Sequence, residues 1–205
     1  MFDICVNLQS ERFDHDRDEV IDNAFQNGVQ YIALTGSNLT SSHFSIAYSQ
    51  KNPDRFCATA GIHPHEAKDF NNKIWDELSE LATNPFCKAI GECGLDYFRN
   101  ISDPAIQREC FQAHITLAKE LQKPLFLHQR DAFQDFLTIL DQEAPEVPVV
   151  VHCFTDGKDE IQELLRRGYF IGITGWICDD RRNHSLLEAI SYLPLEKMMI
   201  ETDSP

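Results

Sequence analysis

The histidines and carboxylates best suited to chemistry in this chain stand at the ends of apolar runs, not in its polar segments. His63 and His65 close the stretch AGIHPH, and Glu92 and Asp96 lie in GECGLD. His128 follows PLFL, His152 follows VPVVV, and Glu201 and Asp203 follow MMI. Asp3 and Asn7 belong to the first such run, FDICVNL. Neutral imidazoles and carboxylates are ligands for Zn²⁺ and Mn²⁺, and the oxygens also suit Mg²⁺. If the runs are strands that meet at one end, these groups converge. Burying so many ionisable side chains is expensive without a compensating partner. A divalent ion offsets that cost. His15, His43, His114 and His184 fall in expected loops or helices and are read as surface or helix-face residues.

The elements that must position these groups alternate along the chain. Eight apolar, β-branched-rich runs are FDICVNL, YIALTG, CATAGI, CKAIGE, PLFLH, VPVVVH, YFIGIT and MMIETD. Segments with helical spacing separate them. Residues 16–28 place Val20, Ile21, Ala24 and Phe25 on one face and stop at Gly28, a favoured residue after a helix end. Asp103 and Pro104 supply an N-cap and a first helical residue, ahead of a stripe of Ile106, Cys110, Phe111, Ile115, Ala118 and Leu121. Residues 156–168 run from an acidic start to a basic end, which matches the helix dipole. Strands alternating with helices imply parallel strands and right-handed crossovers. Eight of them predict an α/β fold, a (β/α)₈ TIM-type barrel, whose active sites lie at the C-terminal ends of the strands. With no linker or composition break, residues 1–205 are expected to form a single domain. The chain ends just after the eighth run, so the eighth helix is expected to be missing. Neighbouring residues in a strand point to opposite sides. Glu92 and His152 are therefore expected to face the barrel axis, and Cys153 to pack against the helices.

Composition narrows the functional classes. The chain of 205 residues is 42% hydrophobic and 25% charged, which suits a globular domain with a real core. No apolar run is long enough to cross a membrane, and the start MFDICVNLQS does not read as a signal peptide. Seven scattered cysteines without a C-x-x-C pair argue against a disulfide framework or zinc ribbon and for a reducing, cytoplasmic setting. The net charge of −15 repels nucleic acid and anionic membranes in bulk, so a phosphate-bearing substrate needs metal ions or a local cluster of donors. Arg130 and Arg99, just past two run ends, are either such phosphate contacts or salt-bridge partners of Asp131 and Asp96.

The blocks AGIHPHEA, AIGECGLDY, FLHQRDA, VVHCFTDG, YFIGITGWICDDRR and IETDSP occur in order over nearly the whole chain. In them the chain resembles the TatD family of metal-dependent deoxyribonucleases, within the amidohydrolase-like barrels. The resemblance implies a divalent metal, Mg²⁺ or Mn²⁺ foremost with Zn²⁺ as a further candidate. It also implies hydrolysis of phosphodiester bonds from nucleic-acid ends. The activity expected is a 3'-5' exonuclease on single-stranded DNA, with RNA as a further substrate, serving DNA repair or degradation without an obligate protein partner. By the same resemblance Glu92, His128, His152 and Asp203 are metal ligands, Glu92 as the bridging one. Asp203 is also the base for the attacking water, and His63 and His65 touch substrate phosphate or the metal's outer shell. Many relatives carry D-x-H-x-H in the first strand. Here the stretch is Asp3-Ile4-Cys5-Val6-Asn7, so both histidines are absent. Asp3 and Asn7 are then weaker ligand candidates, at a position better suited to a hard ion. Two alternatives stay open: a small-molecule amidohydrolase on the same barrel, and a non-catalytic metal-binding quality-control protein. No strand-end lysine of the kind carbamylated in many amidohydrolases is present.

Overall fold

Each of the eight apolar runs becomes a parallel strand. The computed structural model describes all residues from 1 to 205. The strands are β1 (Phe2–Val6), β2 (Tyr31–Leu34), β3 (Phe56–Ala60), β4 (Cys87–Asp96), β5 (Leu125–Arg130), β6 (Val149–Val151), β7 (Phe170–Ile173) and β8 (Met198–Ile200), paired in that order in one sheet. The sheet curls until its edges nearly meet. Across the seam Val6 bridges Ser204, the Asn7 N–H donates to the Ser204 carbonyl at 2.8 Å, and the Asp203 N–H donates to the Cys5 carbonyl at 3.0 Å. Helices α1 (Arg17–Gln26), α2 (Leu39–Lys51), α3 (Asn72–Ala82), α4 (Pro104–Leu121), α5 (Phe133–Glu143), α6 (Lys158–Arg166) and α7 (His184–Ile190) fill the crossovers. This is the expected (β/α)₈ architecture, and no helix follows β8 within these residues.

Local chemistry explains the elements. Asp103 caps α4, accepting the Ala105 N–H at 2.7 Å, and Pro104 supplies a φ already suited to the first turn. The α4 stripe buries Cys110, Phe111, Ile115 and Ala118. Phe111 stacks on Phe136 of α5 with ring centroids 5.4 Å apart, in the same core as the fully buried Leu125 and Leu127 of β5. In α1 the apolar face is narrower than its spacing predicts: Ile21 is buried, while Val20 is exposed. Cys93 is fully buried in the main core beside Cys110 of α4, so it belongs to the helical side of β4.

The pairing of β4 with β5 matters most for what stands above it. Its register sets Cys93 opposite Leu127, Gly94 opposite His128 and Asp96 opposite Arg130. Gly94 has φ +135°, and a Cβ built there would lie 2.0 Å from the His128 carbonyl oxygen. Only glycine lets the two backbones approach this closely beside His128. Gly94→Ala is expected to destabilise the protein by about 3 kcal/mol, read as a lower denaturation midpoint in urea. An unchanged midpoint would remove this close approach from the account of the fold.

Candidate active site

Five strand ends deliver their polar side chains to one mouth. Glu92 of β4 is buried, and its Oε1 lies 2.8 Å from His152 Nε2, 3.2 Å from His63 Nε2 and 3.4 Å from His128 Nδ1. Burial alone raises a carboxyl pKa, but the imidazoles of His63 and His152 outweigh it and hold Glu92 well below the ordinary range. For His152, burial disfavours the charged ring, yet Glu92 and Glu201 prevail and lift it well above its usual value.

Each ring is held by a second contact. His152 stacks on Phe126, with ring centroids 4.6 Å apart, and turns its Nδ1 toward Glu201 Oε2 at 3.4 Å. Both of those atoms are buried and otherwise without a partner. The other oxygen of Glu201 accepts the Cys153 N–H. A Cβ on Gly172 would come within 2.6 Å of that same oxygen, so glycine leaves room for the Glu201 carboxylate. Glu201 thus faces Nδ1 and Glu92 faces Nε2, so both nitrogens of the His152 ring have a carboxylate acceptor, in line with its raised pKa. His63 is held as one tautomer. Its Nδ1 accepts the His65 N–H at 3.1 Å, which leaves Nε2 as the donor toward Glu92. This geometry suits His63 to donating a hydrogen bond rather than holding a cation. His65 Nε2 and His128 Nε2 both face Asp96 Oδ2, at 2.7 and 3.3 Å, and Asp96 itself is buried. Burial works against the Asp96 carboxylate, but His128 and the Arg99 N–H push its pKa far down.

Asp203 stands across the mouth from β4. It lines a cavity of about 330 Å³ together with His128, Arg130, Cys153 and Trp176. Burial raises the Asp203 pKa, with His152 opposing and Glu92 adding to the rise. Asn7 Nδ2 donates to Asp203 Oδ1 at 3.5 Å. Asp3 sits lower on the seam, where its oxygens accept the Thr202 N–H and hydroxyl and the Cys5 N–H.

Several placements differ from the sequence reading. Cys153 does not pack outward against the helices. β6 stops at Val151, so strand alternation no longer applies, and Cys153, with φ 47°, lines the mouth cavity. Cys5 entered the reading only as a first-strand position without a histidine. Its Sγ lies 3.4 Å from Asp203 Oδ1, and its thiol groups with His152 and Glu201, their ligand atoms within 4.8 Å of one another. The first strand therefore offers sulfur where imidazoles were missed. Asp96 entered the reading as a strand-end residue and a salt-bridge partner for Arg99, and Glu201 as a strand-end residue without a role; their position on the same short blocks as Glu92 and Asp203 was the available signal. The Arg130 and Arg99 side chains form no ion pair with Asp131 or Asp96, since none of these pairs comes within 4.0 Å.

His114 is the fourth departure. It is fully buried in α4, donating from Nδ1 to the Cys110 carbonyl at 2.7 Å and accepting the Ile62 N–H at Nε2 at 3.0 Å. That bond ties α4 to the segment carrying His63 and His65.

A family model described as TatD related DNase matches residues 2–205. The chain belongs to this family. It thus falls among hydrolases acting on nucleic-acid ester bonds. It is 44% identical over 206 residues to a protein of Salmonella typhimurium named 3'-5' ssDNA/RNA exonuclease TatD, covering 100% of this chain and 79% of that protein. It is 46% identical over 209 residues to a protein of the same name from Citrobacter koseri, with the same coverage. The crystal structure of a TatD family hydrolase from Entamoeba histolytica superposes with a TM-score of 0.89 at 27% identity, covering 99% of this chain and 73% of that one.

The side chains fit a divalent cation. Three imidazole nitrogens crowd one carboxylate oxygen, and with His63 as a hydrogen-bond donor the rings of His128 and His152 are the nitrogen donors beside Glu92. Glu201, whose Oε2 faces the buried Nδ1 of His152, backs that set from behind the ring. Two measurements test this. Glu201→Gln should weaken Mn²⁺ binding about 10–100-fold in a calorimetric titration, because His152 loses the group that orients it. Unchanged affinity would deny Glu201 that role. His114, whose pKa burial lowers from 6.5 to about 4 against the opposing pull of the Cys110 carbonyl, binds a proton more readily in the unfolded chain. Its contribution to stability is full above about pH 6.5 and is lost as pH falls toward about 4, a difference of about 3 kcal/mol. Urea denaturation between these pH values should show that loss, and His114→Gln should remove most of it.

Proposed function

We propose that this chain is a divalent-metal-dependent 3'-5' exonuclease acting on single-stranded DNA and RNA. The observation that carries the reading is the convergence of His63, His128 and His152 on one buried oxygen of Glu92 at the mouth of the barrel. The names of the full-length relatives support the same substrate class. Glu92, His128, His152 and Asp203 are the residues we assign to holding the cation. Bound there, a divalent ion supplies a more acidic water and a polarised phosphoryl oxygen.

The remaining work falls to the chain's own side chains. His63 and His65 meet the terminal phosphate, His63 donating from Nε2. Asp203 accepts the proton of the attacking water: its raised pKa makes its carboxylate a stronger base than an exposed aspartate. Glu92, low in pKa, stays ionised and anchors the rings around it. Arg130, unpaired and at the rim, holds the strand's backbone charge. The hard oxygen donors favour Mg²⁺ or Mn²⁺, and the imidazoles, with Cys5 nearby, leave Zn²⁺ within the set. Seven free cysteines fit a reducing, cytoplasmic setting.

An end-labelled single strand incubated with the protein and Mg²⁺ should give a ladder shortening from the 3' end, abolished by EDTA. Asp203→Asn should lower kcat about 100-fold or more, as expected on losing a general base. A ladder that persists in EDTA, or kcat unchanged in the variant, would overturn the assignment.

A further inference from the structure

Next to the metal-type cluster lies a layered arrangement of which the proposed hydrolysis uses only Arg130. The Arg130 guanidinium carbon sits 3.9 Å from the Phe98 ring centroid and 5.8 Å from that of Trp176. The Arg182 guanidinium caps Trp176 at 3.6 Å. Phe98, Arg130, Trp176 and Arg182 thus form one alternating series of aromatic and cationic planes. They come from three places: the segment after β4, the end of β5 and the turn after β7. Arg130 and Trp176 line the same cavity as His128 and Asp203, so the series begins where the hydrolytic side chains end.

Two features set this arrangement apart from ordinary surface packing. Phe98 is 55% exposed although it lies two residues beyond the buried Asp96. Arg130 covers one face of its ring, and the exposed remainder offers a π surface to solvent. Charge is the second feature. Arg17, Arg108, Arg166, Arg167, Arg181 and Arg182 all sit within 4.0 Å of a carboxylate, as a chain with 33 acidic and 18 basic residues allows. Arg130 has no such partner, nor do Arg12, Arg55 and Arg99, and of these four Arg130 alone lines the cavity.

We propose that Phe98, Arg130 and Trp176 form a stacking subsite for a nucleobase of the single-stranded substrate, one adjoining the nucleotide being removed. This rests on the exonuclease reading. Single strands are held without sequence preference by bases stacked on aromatic rings and on arginine planes, with backbone charge met by the same arginines. A base can lie on Phe98 only when it is free of its own helical neighbours. The subsite therefore selects single strands over duplex. It also lets an acidic protein retain a polyanion, because much of the binding comes from stacking and little from bulk charge.

The test uses the whole chain with Mg²⁺ and single-stranded oligonucleotides carrying an abasic residue at each position in turn near the 3' end. Stacking on an aromatic side chain is worth about 5–150-fold in affinity per base, so at one position the abasic strand should raise KM about 10-fold over the intact strand. In Phe98→Ala, an exposed position whose truncation leaves the core untouched, that ratio should fall to about one, as expected when the stacking partner is gone. Hydrolysis with the same abasic ratio in both proteins would overturn the subsite and leave the exonuclease reading intact. Absence of hydrolysis by the unmodified protein would overturn the exonuclease reading and the subsite with it.

Discussion

A carboxylate removed from water must be met by positive charge or by donors, and Glu92 imposes that demand on the whole barrel. Its Oε1 lies among His63, His128 and His152, which come from the ends of β3, β5 and β6. Parallel strands in sequential order bring these ends to one face. The β4–β5 register, made close by Gly94, then sets the height of His128 relative to Glu92 and Asp96. The electrostatic result is reciprocal: Glu92 is held ionised and His152 is made a better proton binder.

Rigidity at this mouth is built from behind. Phe126 stacks beneath His152, Glu201 faces its far nitrogen, and Gly172 clears the space Glu201 occupies. Asp96 performs a parallel service for His65 and His128. His114, deep in α4, fixes the segment that presents His63 and His65. Mobile ligands would lose entropy on gathering around an ion; here that ordering is done when the chain folds.

The net charge of −15 by itself opposes binding of a polyanionic substrate. The structure answers locally. The acidic residues at the mouth are largely matched to imidazoles, and Arg130 stands unpaired at the rim beside Phe98 and Trp176. Local donors act within a Debye length of about 8 Å, over which a distant acidic surface is screened.

The sequence alone determined the eight strands, the parallel barrel and the end of the barrel at which the histidines and acids gather. Those follow from periodicity and composition, which are local properties: Leu125, Phe126 and Leu127 read as a strand wherever they lie. The histidines and acids at the run ends were legible for the same reason. What the tertiary structure decided depended on distances across the barrel. Asp96 and Glu201 showed their roles only once His128 and His152 stood against them. Cys153 escaped the strand alternation because β6 ended a residue before His152, a boundary that pairing with β5 and β7 sets. His114 gave no sign in its helical stripe that it would meet Ile62, 52 positions earlier. Side-chain period fixes which face a residue takes within its own element, but a titratable group gets its protonation and its role from neighbours that only closure of the barrel supplies.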